Sequence, residues 1–351
     1  MNEQTNYPNW TDEQWRRVND LVATEADKAR VAARFLPLYG PVDPSVVAVP
    51  DYLLGNRPNP AFAPLRALNR LDVDSSPNTY LATITIQIPL ANHEVAEPEL
   101  QAASVAFRRA AVTIARVEDA LLFNGQAAPN IAPAPTFPGG WLANLPPIFS
   151  ISGGAQQSGL VPAGAMPNVP PPFANIAPRV DIPLPVPAAA AGVAFPWGGT
   201  VRQALMEEWS QIIVRTISDT VASLEGNGHA GPFACFLSPD VFEAVHTPSP
   251  SMVLPRDRIL PFLGGEYLCR SNTIPNGYGI VVAGVPAYET DAHGKRQKQS
   301  GGGSPVEIVV ATDISLRYLQ QTPEPKFLFR IWEKIALRVK EWDAVAVLRP
   351  V

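Results

Sequence analysis

The sequence has 351 residues, room for two average domains or one large domain with insertions. Hydrophobic residues make up 46% and charged ones only 17%, so a sizeable core is available while much of the surface must be neutral or covered by partners. A net charge of −5 excludes a basic nucleic-acid-coating protein, and no run reaches the roughly 18 apolar residues that would suggest a membrane span.

The first element is a helix. Thr11 and Gln14 have capping-box spacing, and Trp10 and Trp15 occupy the two positions of a hydrophobic staple. Trp15, Val18, Val22, Ala26, Ala29 and Ala33 then form one apolar stripe. It either packs on the chain's own core or docks another chain. Residues 36–64 are punctuated by prolines and read as irregular. The stretches 65–74 and 78–90 follow, the second alternating Ile84, Ile86 and Ile88 with polar residues, a strand pattern. Together they read as a two-stranded arm, which has too little core to be stable alone and would lie across a neighbour.

A long helix starts near Pro98. Leu100, Ala103, Phe107, Ala110, Ile114, Val117 and Leu121 recur at three- and four-residue steps, and Gly125 supplies a stop. Residues 126–200 then hold 16 prolines and only two charges, Arg179 and Asp181, unlike a solvated linker. This stretch reads as an ordered insertion lacing over its own or neighbouring subunits, and as removable without loss of the core because capped helix ends flank it. Thr200 and Gln203 suggest a second capping box, opening a helix with Trp209, Ile213, Ile217, Val221 and Leu224 on its apolar face. Beyond it lie strands at 233–238, 279–289, 306–319, 326–342 and 344–350, and a short helix at 239–246.

Chemistry is hard to find in this pattern. His93, His229, His246 and His293 are scattered without metal-ligand spacing, and no metal site is expected. The glycine-rich run at 300–304 lacks the lysine of a phosphate cradle. Cys235 and Cys269 have no CxxC spacing and read as buried thiols of a reducing cytosol; MNEQTNYPNW shows no signal-peptide pattern. Glu118 and Asp119 are adjacent, so on a helix they diverge by about 100° and share a proton or metal poorly. They read as structural ion-pair residues joining this helix to another segment, with Arg116, Arg108 and Arg109 also in helical reach. A hydrolytic enzyme using this pair is the alternative from another class.

The order of elements resembles the encapsulins, shell proteins of the linocin/bacteriocin type with an α+β, HK-97-like phage capsid fold. WTDEQWRRVNDLV resembles their N-terminal segment, ARVEDALLFNG at 115–125 their spine-helix ending, and HAGPFACFLSPDVFEAV their later domain. The resemblance implies an N-terminal helix and arm over 1–64, an extended β loop over 65–98, a peripheral domain over 99–232 carrying the insertion 126–200, and an axial domain over 233–351. It implies a homo-oligomeric icosahedral shell in the cytoplasm, enclosing a peroxidase or ferritin-like cargo that binds through a C-terminal targeting peptide near Trp15, Val18 and Val22. The pore loop would be 246–257, with His246, Thr247, Pro248, Ser249 and Pro250 at its start. No cofactor is expected: the aromatic through which some relatives hold flavin has no counterpart in QIPLANHE. Neither nucleic acid nor membrane is an expected partner. A tailed-phage major capsid protein enclosing DNA is the other structural reading.

Overall fold

Capping and apolar periodicity set the first helix. The computed structural model describes residues 8–58, 69–75, 77–126, 149–154, 159–161, 180–185, 200–248, 253–265, 267–284, 288–290, 296–298, 304–322 and 326–350. Helix α1 (Asp12–Ala29) begins with the expected box, since Thr11 Oγ1 accepts the Gln14 N–H and Gln14 Oε1 accepts the Thr11 N–H. The staple also forms, with the Trp10 and Trp15 rings 4.9 Å apart and Trp10 stacked on Phe329. A four-residue helix α2 (Ala32–Phe35) follows, then short strands β1 (Leu38–Tyr39), β2 (Ala48–Pro50) and β3 (Leu53–Pro58). Next come β4 (Asn69–Asp74), β5 (Asn78–Tyr80), β6 (Ala82–Ala91), a short helix α3 (Asn92–Ala96) and the long helix α4 (Gln101–Asn124). Strands β7 (Phe149–Gly153) and β8 (Val180–Leu184) precede α5 (Thr200–Gly226). The remainder is β9 (Ala234–Leu237), α6 (Pro239–Val245), α7 (Pro255–Leu263), β10 (Leu268–Arg270), β11 (Gly279–Val282), β12 (Tyr288–Thr290), β13 (Arg296–Lys298), β14 (Val306–Gln321), β15 (Lys326–Val339) and β16 (Val345–Pro350). The side chains of Thr200 and Gln203 lie outside the described residues.

Two five-stranded sheets organise the molecule, in orders β1-β14-β15-β6-β7 and β10-β9-β11-β16-β8. In the first, β6 alternates as read: Ile84, Ile86, Ile88 and Leu90 are buried between less buried neighbours. Their face packs with α1 and α4 in one core. The inner strands β9, β11 and the first four residues of β16 are continuous apolar runs because both faces are covered. Ala234, Phe236, Ile280, Val282, Val345 and Val347 join the core around α4, while Cys235, Leu237, Val281, Ala346 and Leu348 join a second core with α5, α6 and α7.

The predicted pairing of the arm is corrected. Residues 69–74 pair with β3 at Leu53↔Asp74 through Pro58↔Asn69, whereas β6 lies between β15 and β7 in the five-stranded sheet. An isoleucine face needs a core, and the five-stranded sheet places it against α1 and α4; the hairpin β3–β4 takes the less apolar strand. The segment read as irregular therefore supplies three strands.

The insertion is also more integral than its composition suggests. Strand β7 extends the first sheet along β6, and β8 pairs parallel with β16 at the edge of the second. Between them, the N–H groups of Leu160 and Val161 donate to the carbonyls of Leu122 and Phe123, at 3.0 and 2.6 Å. Those are carbonyls a helix end leaves without intrahelical partners. Gly159, at φ +69, lies so close to Gly125 that a Cβ would sit 2.3 Å from the Gly125 nitrogen. Leu160 and Leu184 are fully buried. These contacts count against a removable insertion, since Leu160 and Val161 join the first core and Leu184 the second.

Candidate functional site

Glu118 and Asp119 sit on the last turns of α4, where α1 ends and β14 and β15 pass. Both are buried, with 1% and 2% exposure, so neither is an acid or base open to a substrate. Glu118 pairs across the fold with Arg30: Nε donates to Glu118 Oε2 at 2.6 Å. The same guanidinium reaches Asp313 at 2.5 Å, buried Glu333 at 3.2 Å and Asp27 at 3.5 Å. Asp119 acts differently. Its carboxylate accepts the N–H groups of Val31 and Ala32, at 3.0 and 2.8 Å, and so holds the start of α2. The arginine that pairs with Glu118 lies 88 positions earlier, on another segment of the chain. Asp119 is principally a backbone anchor.

One guanidinium thus serves two buried carboxyl groups, Glu118 and Glu333, and two exposed ones, Asp313 and Asp27. Burial, the largest influence, opposes the charge on Arg30, but Glu118, Glu333 and Asp313 outweigh it and hold its pKa above the ordinary value. Burial raises Glu118 despite Arg30, and raises Glu333 well above the usual range, with the Glu118 charge adding to the effect. Asp119 is pushed up to about 8 by burial and then by Glu118, against the pull of its two backbone donors. Glu333 Oε1 is buried without a hydrogen-bond partner, as expected where acids outnumber the cation. This node fixes α1 and α2 on the end of α4.

A second node stands at the root of the β3–β4 hairpin. Arg338, on β15 and 2% exposed, pairs with fully buried Glu307 on β14, donates to the Pro50 carbonyl at 3.1 Å, and lies 4.3 Å from the Tyr39 ring centroid and 5.4 Å from that of Tyr52. Lys340 also reaches Glu307, at 3.0 Å. The hairpin therefore leaves the sheet from a charged, aromatic-covered anchor. Around it Leu38 and Tyr39 of β1, Val47 and Tyr52 on either side of β2, Val73 of β4 and Tyr80 of β5 are exposed apolar or aromatic residues.

Val18 and Val22 are buried at 1% against the chain's own core, so they hold α1 on α4. Trp15 is partly buried beside Phe329, the member of that trio with surface left. In the 246–257 segment, the His246 ring packs on Phe242 at 4.1 Å, and His246 Nδ1 lies 2.9 Å from the Phe242 carbonyl. Thr247 Oγ1 donates to the Glu243 carbonyl, and Pro248 is exposed. Ser249 and Pro250 lie outside the described residues. From Pro255 onward the segment is helix α7, so its last three residues are not loop. Cys235 and Cys269 are free thiols, both pushed above the ordinary range by burial. Arg30 and Arg338 were missed by the sequence reading. Their partners are separated by dozens of positions, and no local pattern marks a lone arginine as buried.

Residues 5–132 match a family model described as an encapsulating protein for peroxidase. That stretch spans α1, the hairpin, β6 and α4, and bears out the encapsulin resemblance read from sequence. No curated protein matches the sequence. The virus-like particle of Pyrococcus furiosus is similar in structure at 13% identity, over 95% of this chain and 98% of that one, with a TM-score of 0.52. A phage-related protein of Bordetella bronchiseptica matches at 9% identity over 94% and 96%, with a TM-score of 0.49. The capsid of Myoviridae phage XM1 matches at 12% identity over 88% and 87%, with a TM-score of 0.45. The fold is α+β and HK-97-like, as expected.

Proposed function

We propose that this chain is the subunit of an icosahedral protein shell of the encapsulin kind, which assembles from many copies and encloses protein cargo. The observation that carries this reading is the match of residues 5–132 to an encapsulating protein for peroxidase, on a chain that has the HK-97-like fold. Two features support it physically. A two-stranded hairpin, β3–β4, pairs with no other strand among the described residues, and exposed apolar residues surround its base. Both are resolved if neighbouring subunits cover them, since burial across repeated contacts drives closed assembly.

In this reading the cargo is a peroxidase or ferritin-like protein, captured through a C-terminal targeting peptide. The peptide docks beside Trp15 on the inner face, with Val18 and Val22 as the support beneath. The hairpin crosses adjacent subunits, and the segment from His246 to Pro250 borders a pore. The shell works in the cytoplasm; among the described residues no helix is long and apolar enough to cross a membrane. Glu118 and Asp119 serve architecture.

Electron microscopy and mass photometry of the purified protein test the proposal. Closed particles of uniform diameter are expected, with co-purifying protein identified by mass spectrometry. Monomers and small oligomers alone would overturn it. Particles filled with DNA would instead assign the chain to phage capsids.

A further inference from the structure

The described residues hold one more convergence of reactive side chains, far from both nodes. His229 follows α5, its N–H donating to the Leu224 carbonyl at 3.1 Å. Glu341 and Asp343 flank Trp342 on the turn between β15 and β16, which is closed by the Ala344 N–H on the Glu341 carbonyl. His229 Nε2 lies 3.2 Å from Asp343 Oδ1, and Nδ1 lies 3.7 Å from Glu341 Oε2. One ligand-type atom from each of the three residues falls within 4.8 Å of the others. We propose that His229, Glu341 and Asp343 form a binding site for one divalent transition-metal ion.

Three observations carry the proposal. The first is an unmet requirement: His229 Nε2 is buried and makes no hydrogen bond, although a carboxylate oxygen stands 3.2 Å away. A neutral or protonated imidazole would normally turn an N–H onto that oxygen. Here a nitrogen and an oxygen face each other without that alignment, which is how two ligands face a shared ion. The second is spacing. Bonds of about 2.0–2.1 Å at tetrahedral angles place neighbouring ligand atoms about 3.3 Å apart, close to the Nε2–Oδ1 separation. The third is placement. The imidazole is 11% exposed, while Glu341 and Asp343 keep 27% and 24% exposure, so the cluster opens to solvent on its carboxylate side.

One imidazole with two carboxylates is a borderline-hard donor set. It suits Zn²⁺, Mn²⁺, Fe²⁺ or Co²⁺, whereas Ca²⁺ and Mg²⁺ favour all-oxygen shells. A bound ion would join the end of α5 to the β15–β16 turn and stabilise the folded chain, because the unfolded chain holds no such site. The histidine escaped sequence reading because its partners lie more than a hundred positions away, in EWD, which carries no metal spacing of its own.

The test uses the full-length protein, stripped with chelator and titrated with Co²⁺ and Zn²⁺. One equivalent of Co²⁺ per chain should give visible d–d absorption, and Zn²⁺ should displace it and raise the thermal midpoint. Removal of outer-shell partners alone weakens metal sites about 10–100-fold, so His229→Ala should weaken binding at least tenfold and abolish the thermal shift. His246→Ala should leave both unchanged. Asp343→Asn, a near-isosteric change at a partly exposed position, gives the same readout should the histidine variant fold poorly. Absence of stoichiometric Co²⁺ binding, or binding undiminished by both Asp343→Asn and Glu341→Gln, would overturn the proposal.

Discussion

Replacing Arg30 by methionine removes the cation that pairs with both Glu118 and Glu333. Methionine keeps most of the aliphatic volume, so the perturbation is electrostatic. Glu118 and Glu333 have side-chain exposures of 2% and 0%, and Arg30 contacts them at 2.6 and 3.2 Å. Breaking a buried pair by removing one partner costs about 3–5 kcal/mol, because the remaining charge is stranded. Two stranded carboxylates place the expected loss at the upper end of that range near neutral pH. The sign with pH follows from the folded-state values. Both groups already stand above the ordinary carboxyl range because of burial, and removing Arg30 raises them further. Their stabilising contribution is complete below the unfolded carboxyl range and is lost as pH rises. The deficit of Arg30→Met should therefore be large at pH 7.5 and shrink towards pH 5. Thermal unfolding at matched scan rates, read by tryptophan emission, measures it. The triple variant Arg30→Met, Glu118→Gln, Glu333→Gln should recover much of the loss at pH 7.5. A deficit below about 1 kcal/mol at pH 7.5, or one that grows on acidification, would refute the reasoning.

Asp119 gives an independent pH signature. Its native value of about 8 lies above the ordinary 3.8, so its contribution is present at low pH and lost as pH rises through about 8. Asp119→Asn should flatten the fall in thermal midpoint across that window, and an unchanged profile would count against the assignment. Thr11→Ala should cost about 1 kcal/mol by removing the cap of α1, measurable by the same melts. Leu160→Ala, at a fully buried site on the cap of α4, should cost about 2–5 kcal/mol, and a loss under 1 kcal/mol would return the insertion to the status of a surface appendage. Replacing residues 54–73 by a short polar linker should leave far-UV circular dichroism near that of the parent while closed particles vanish from micrographs. Intact shells from that variant would remove the hairpin from assembly.

Local order was legible in the sequence wherever one residue's role depends on near neighbours. The α1 capping box and the Trp10–Trp15 staple are three- to five-residue relations, and the structure forms both. The α4 stripe from Leu100 to Leu121 and the alternation of β6 are periodicities set by backbone geometry, and both face the core. The ordered resemblance to encapsulins reached the fold for the same reason: it rests on elements in sequence, each recognisable by itself. Pairing between distant segments was decided by tertiary structure alone. Nothing local tells 69–74 to pair with 53–58 rather than with 78–90, because both registers satisfy a hairpin, and only the demand of the Ile84–Leu90 face for a core separates them. Likewise, Glu118 finds Arg30 and His229 finds Asp343 because folding brings remote chain segments within a few ångströms, where burial makes unpaired charge expensive. The stretch ARVEDALLFNG shows both halves of this division. Its helix, apolar face and glycine stop are written in its own eleven letters, whereas the partners of Glu118 and Asp119, and the segment that caps its last carbonyls, exist only in the folded chain.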